Sequence, residues 1–158
     1  MNKILPLAER FLVIALIIGF LLKISGNDAP FLINISLAGL GIVFFLNIYL
    51  PIHSKAEENE QPDENKLNGL NELLSKYIVP KVIWIGSAVA TVGLLLYNLQ
   101  LGNNGYLRLL YMGGSTIVIA VVVMLILRII GTKYTEASTP ALIRALPTLM
   151  IVGYIVFA

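Results

Sequence analysis

Long apolar stretches alternate with short polar ones along this chain, and their lengths decide what they can become. Leu5–Ile24 is an apolar run whose uninterrupted part is Phe11–Leu22, with Glu9 and Arg10 on one side and Lys23 on the other. Ser25-Gly26-Asn27-Asp28-Ala29 has the composition of a turn, and Pro30 suits the first position of a following helix. Phe31–Ile52 carries no charge at all. Val82 to about Leu101, and Leu107 or Leu109 to Ile130, are two further apolar runs, separated by Gly102-Asn103-Asn104-Gly105. About 20 predominantly apolar residues, roughly 30 Å of helix, cross the hydrocarbon of a bilayer, so each run predicts a spanning helix. Ala141–Ala158 predicts a fifth. Arg144 and Pro147 lie in its first half, so it crosses if Arg144 snorkels to the near interface. A re-entrant or surface-lying segment is the competing reading.

Between His53 and Lys66 the pattern flips to Lys55, Glu57, Glu58, Glu60, Asp63, Glu64 and Lys66, with Pro62 among them, which reads as a solvated linker. Leu67, Leu70, Leu73, Leu74, Tyr77 and Ile78 then recur at helical spacing against Asn68, Asn71, Glu72, Ser75 and Lys76. That pattern predicts an amphipathic interfacial helix over about 64–79, ended by Pro80. The expected fold class is therefore an all-α polytopic membrane bundle. Residues 1–52 would form a first transmembrane hairpin and 53–80 a linker with its interfacial helix. Residues 81–131 would form a second hairpin, and 132–158 a short connection and the fifth helix. Gly19 and Gly93 each lead through an apolar turn to a Gly-Asn sequence and another apolar helix, which suggests a parallel duplication of the hairpin.

Composition agrees: 58% of the 158 residues are hydrophobic and 13% charged. Soluble domains are about half apolar and about a quarter charged, and a soluble core could not cover such an excess. The net charge of +2 is too small to argue for nucleic acid, and the absence of cysteine removes disulfides and thiolate chemistry. Lys3 ahead of an apolar stretch resembles a secretory signal, but Glu9-Arg10 interrupts it and no small-residue cleavage site follows, so the first helix is expected to be retained.

Orientation follows from the basic residues near the ends of the spans. Lys3, Arg10, Lys55, Lys66, Lys76, Lys81, Arg128 and Lys133 fall on one side, and only Lys23 and Arg108 on the other. The N-terminus and the 53–80 linker are therefore expected in the cytoplasm, with the protein in the cell (inner) membrane. Trp84, Tyr77, Tyr49 and Tyr134 would lie at the cytoplasmic interface, and Tyr97, Tyr106 and Tyr111 at the outer one.

Catalytic patterns are missing: His53 has no second ligand at metal spacing, and no phosphate loop or nucleophile elbow exists. No enzyme activity and no cofactor is expected. The charged candidates are Lys23, Asp28 and Arg144. Lys23 with Asp28 would make an outward-facing ion pair at a substrate entrance, whereas anchoring to headgroups is the plainer role for basic residues near helix ends. Asn34, Asn47, Thr91 and Asn98 are polar inside the spans and would line a hydrated path, or else hold helices together. Small residues at seam spacing, Asn34-Ala38-Gly41, Gly86-Ala90-Gly93 and Gly113-Thr116-Ala120, favour close helix packing.

The stretch from Gly19-Phe-Leu-Leu-Lys-Ile-Ser-Gly-Asn-Asp-Ala-Pro-Phe-Leu to Leu37-Ala-Gly-Leu-Gly-Ile-Val-Phe-Phe resembles a hairpin in a group of bacterial membrane proteins. The group includes the two-span stator subunit of the gliding-motility and type IX secretion motor, and small uncharacterised relatives. The resemblance covers Phe11 to about Leu50, and Lys23 matches a lysine of that hairpin. The stator's acidic position falls near Leu40 or Gly41, where this chain has no carboxylate, so the resemblance implies kinship without a proton-driven activity. The expectation is an accessory or scaffold subunit acting by helix–helix association, with the lipid bilayer and a homo-oligomer or larger membrane complex as partners. A small transporter or channel with a polar path between the hairpins is the alternative.

Overall fold

The computed structural model describes residues 4–27, 29–49, 73–101, 104–129 and 139–157. Helices form where the apolar runs lie: α1 (Ile4–Ile24), α2 (Pro30–Tyr49), α3 (Val79–Asn98), α4 (Gly105–Ile129) and α5 (Thr139–Phe157). All five are long and apolar enough to cross a membrane, and no strand occurs among the described residues. The fifth run is thus a single helix of 19 residues that continues through Pro147.

The two short turns after α1 and α3 close in the same way. After α1, Asn27 N–H donates to Leu22 O and Gly26 N–H to Lys23 O; after α3, Leu101 N–H donates to Leu96 O and Gln100 N–H to Tyr97 O. Each motif needs one left-handed residue, which is Gly26 (φ 82°) in the first turn and Gln100 (φ 54°) in the second. The second turn therefore begins ahead of the expected Gly102-Asn103-Asn104-Gly105, at a residue with no glycine's freedom.

The amphipathic helix expected over 64–79 lies outside the described residues as far as 72. Its described remainder does not stop at Pro80. Leu74–Ile78 form a π turn in which Val79 N–H donates to Leu74 O, and the chain runs on into α3. Proline has no N–H and its ring crowds the carbonyl four residues earlier, so a regular α turn is disfavoured there. The wider turn accommodates Pro80 without breaking the helix.

The helices do not separate into two hairpins with an appended segment. α3 is central and packs on α2, α4 and α5, while α1 packs chiefly on α2. The sequence of α3 allows this, because its buried positions include Gly86, Ser87, Ala90, Thr91 and Gly93, small enough to be approached from several sides. The α3–α4 seam is the closest: a methyl group added to Gly113 would lie 2.5 Å from Ala90 N, and one on Gly86 3.0 Å from Gly113 O. Thr116 is not part of that seam. Its hydroxyl donates to Met112 O (2.6 Å), and Gly113, Ile117 and Ala120 are the buried face instead, as the 3.6-residue period requires. Consecutive helices run antiparallel, since Gly19 meets Ile33, Gly39 meets Leu12, Gly41 meets Thr91 and Gly114 meets Val152. The first residues of α1, α3 and α5 and the last of α2 and α4 consequently share one end of the bundle.

Candidate functional site

Polar side chains tie the bundle at both ends. At the end where α1 starts, Glu9 is 3% exposed, and Arg144 of α5 donates from Nη1 to its Oε2 at 3.4 Å. Each is the sixth residue of its helix, so parallel helices hold them at one depth. The sequence leads to the expectation that Arg144 snorkels to the near interface; the structure leaves its side chain 40% exposed and adds a buried partner, Glu9, that the sequence reading did not pair with it. Equal depth on two odd-numbered helices was the signal available in the sequence. It could not be used without knowing that α1 and α5 meet. Glu9 is the only carboxylate among the described residues; Arg10, Lys81, Arg128 and Arg144 are among the basic residues at this end.

At the opposite end, Lys23 Nζ donates to Asn98 Oδ1 (3.0 Å), and Asn98 Nδ2 donates to Asn34 Oδ1 (2.7 Å). This chain of contacts joins α1, α3 and α2. Lys23 also lies over the Tyr97 ring, 5.8 Å from its centre, and Tyr97 packs against Tyr106 at 5.3 Å. The expected partner of Lys23, Asp28, lies outside the described residues.

The remaining candidates for a polar path do not join this cluster. Thr91 is fully buried and turns back on its own helix, donating to Ser87 O or Ala88 O, with Ser87 likewise bonded to Ile83 O. Asn47 stands near the other end of α2, and its Nδ2 is buried without a hydrogen-bond partner among the described residues, as is Ser36 Oγ. Between the two ends the interior is filled by Leu16, Ile33, Leu37, Leu40, Phe44 and Ile83, and Phe44 stacks at 5.5 Å on Trp84.

Hollows open on the outside among the described residues. One, of about 420 Å³, is lined by Thr139, Pro140, Ile143 and Arg144. Another is an apolar groove of about 560 Å³ running along α2 and α3, with Ala38, Gly41, Ala88 and Val92 in its walls. Of the seam set Asn34-Ala38-Gly41, then, only Asn34 is used at a polar contact inside the chain. Ala38 is open and Gly41 half-covered.

These features define an all-helical protein with five helices long and apolar enough to cross a membrane. Comparison with protein-family models, curated proteins and solved structures returned no match.

Proposed function

We propose that this chain is a multi-pass inner-membrane protein of a bacterium that acts as an accessory or scaffold subunit, by packing a helix of another subunit against itself. Its N-terminus and the 53–80 segment face the cytoplasm in this reading, which the basic residues Arg10, Lys81, Arg128 and Arg144 at one end support. The observation that carries the association is the apolar groove between α2 and α3. Within hydrocarbon, helices associate through close packing of small surfaces and not through burial from water. A groove with Ala38 and Gly41 on one wall and Ala88 on the other offers such a surface, on helices whose own partners leave it open. The likeness of the first helix pair to the motor stator group is compatible with a subunit role and adds no activity to it.

Cross-linking in native membranes tests the proposal. A photoreactive side chain at Ala38 or Val92 should give one discrete adduct with a single membrane protein or a second copy, and the same probe at Ile119, on the outward face of α4, should not. Adducts at Ile119 equal to those at Ala38, or a lone monomer by native mass spectrometry in mild detergent, would overturn it.

A further inference from the structure

The cavity beside Arg144 has walls of two kinds. Pro140 and Ile143 make an apolar surface, and the Arg144 guanidinium supplies a cation that is itself 40% exposed. Among the described residues Glu9 is the only partner of that cation. The 3.4 Å contact is longer than the 2.7–2.9 Å typical of charge-assisted pairs, and it engages one nitrogen of a group with five N–H donors. Three further basic residues, Arg10, Lys81 and Arg128, stand outward at the same end of the bundle. Among the described residues a single carboxylate, the buried Glu9, stands with them. A half-exposed cation with spare donors and an adjoining apolar wall fit a ligand that is anionic at one end and apolar at the other.

We propose that this cavity binds the phosphate headgroup of an anionic phospholipid, with Arg144 shared between the lipid and Glu9. The phosphate takes the outward donors of the guanidinium, and the glycerol and first acyl carbons lie along Pro140 and Ile143. The apolar wall favours a lipid over a free phosphate ion, which would leave that surface uncovered. Glu9 then acts as an internal competitor: its negative charge opposes the phosphate and holds the guanidinium inward. The inference rests on the helices lying in a bilayer but not on the chain being a scaffold subunit, so each can fail alone.

Native mass spectrometry of the full chain with added phosphatidylglycerol, phosphatidylcholine or inorganic phosphate tests it. Phosphatidylglycerol should remain bound in preference to the other two. Loss of one basic residue near anionic lipid is worth about fivefold in binding, so Arg144→Ala should lower phosphatidylglycerol retention by about that factor. Glu9→Gln should raise retention, because the competitor is gone. Lys23→Ala, at the far end, should leave it unchanged. Should Arg144→Ala fail to fold with Glu9 unpaired, the double variant Glu9→Gln/Arg144→Ala removes both charges and should retain about fivefold less phosphatidylglycerol than Glu9→Gln alone. The opposite signs of the two single variants separate a ligand site from a purely structural ion pair, whose loss would move both the same way. Equal retention of phosphatidylcholine, binding of inorganic phosphate as firm as that of phosphatidylglycerol, or a fall in retention on Glu9→Gln would each overturn the proposal.

Discussion

At one end of the bundle a carboxylate and a guanidinium tie α1 to α5, whereas at the other an ammonium and two carboxamides tie α1 to α3 and α2. The first connection is unequal in its surroundings: the Glu9 side chain is 4% exposed and that of Arg144 40%. The second is spread over three helices, with its only charge, Lys23, on the outward side. A charge enclosed by protein depends on its partner, while a charge at the rim can turn to water or headgroups. Loss of a partner should therefore be costly at one position and mild at the other three.

Arg144→Ala should produce the largest change. It leaves Glu9 enclosed without a counter-ion, and breaking buried pairs in this way costs about 3–5 kcal/mol, reduced here to about 2–3 because Arg144 is partly exposed. Glu9→Gln should cost under about 1 kcal/mol, since the freed guanidinium can move outward. Unfolding of detergent-solubilised protein by added SDS would measure both, and equal losses would erase the asymmetry. Asn98→Ala comes next. It removes an acceptor from Lys23 and a donor from Asn34, two interhelical contacts that average roughly 0.6 kcal/mol each, for a loss of about 1 kcal/mol in the same titration. Lys23→Met should be mildest, about 0.5 kcal/mol, from one hydrogen bond and a ring contact at an exposed site. A larger effect for Lys23→Met than for Asn98→Ala would show that the charge, and not the amide relay, holds that end together.

The helices themselves were legible because they rest on length and apolarity, properties of a contiguous segment. The runs beginning at Leu5, Phe31, Val82, Leu107 and Ala141 match α1 to α5 with shifts of a few residues at their starts. The exceptions have physical causes. Gln100 takes the left-handed position at the end of α3 because the cap requires one residue there, and its side chain gives no sign of it. Pro80 looked like a terminator because the widened turn that admits it has no pattern of its own. At the site, the small-residue seam of α3 was visible as spacing, and so was the polarity of Asn34 and Asn98. What spacing along one helix cannot reveal is which helix lies opposite. The meeting of Asn34 with Asn98 and the burial of Glu9 under Arg144 depend on that arrangement and emerge only with the fold.

The π turn ahead of α3 also has a mechanical consequence. Leu73 to Ile78 join the innermost helix without a break, so the segment that precedes them is attached to the member that packs along three of the other four and is tied to α1 through Asn98. A pull or twist applied at Leu73 acts on α3 as on the shaft of a lever, and from there on α2, α4 and α5 together. A shortening by one residue within Leu74–Ile78 would restore the ordinary helical pitch and swing everything upstream by about 100° around that shaft.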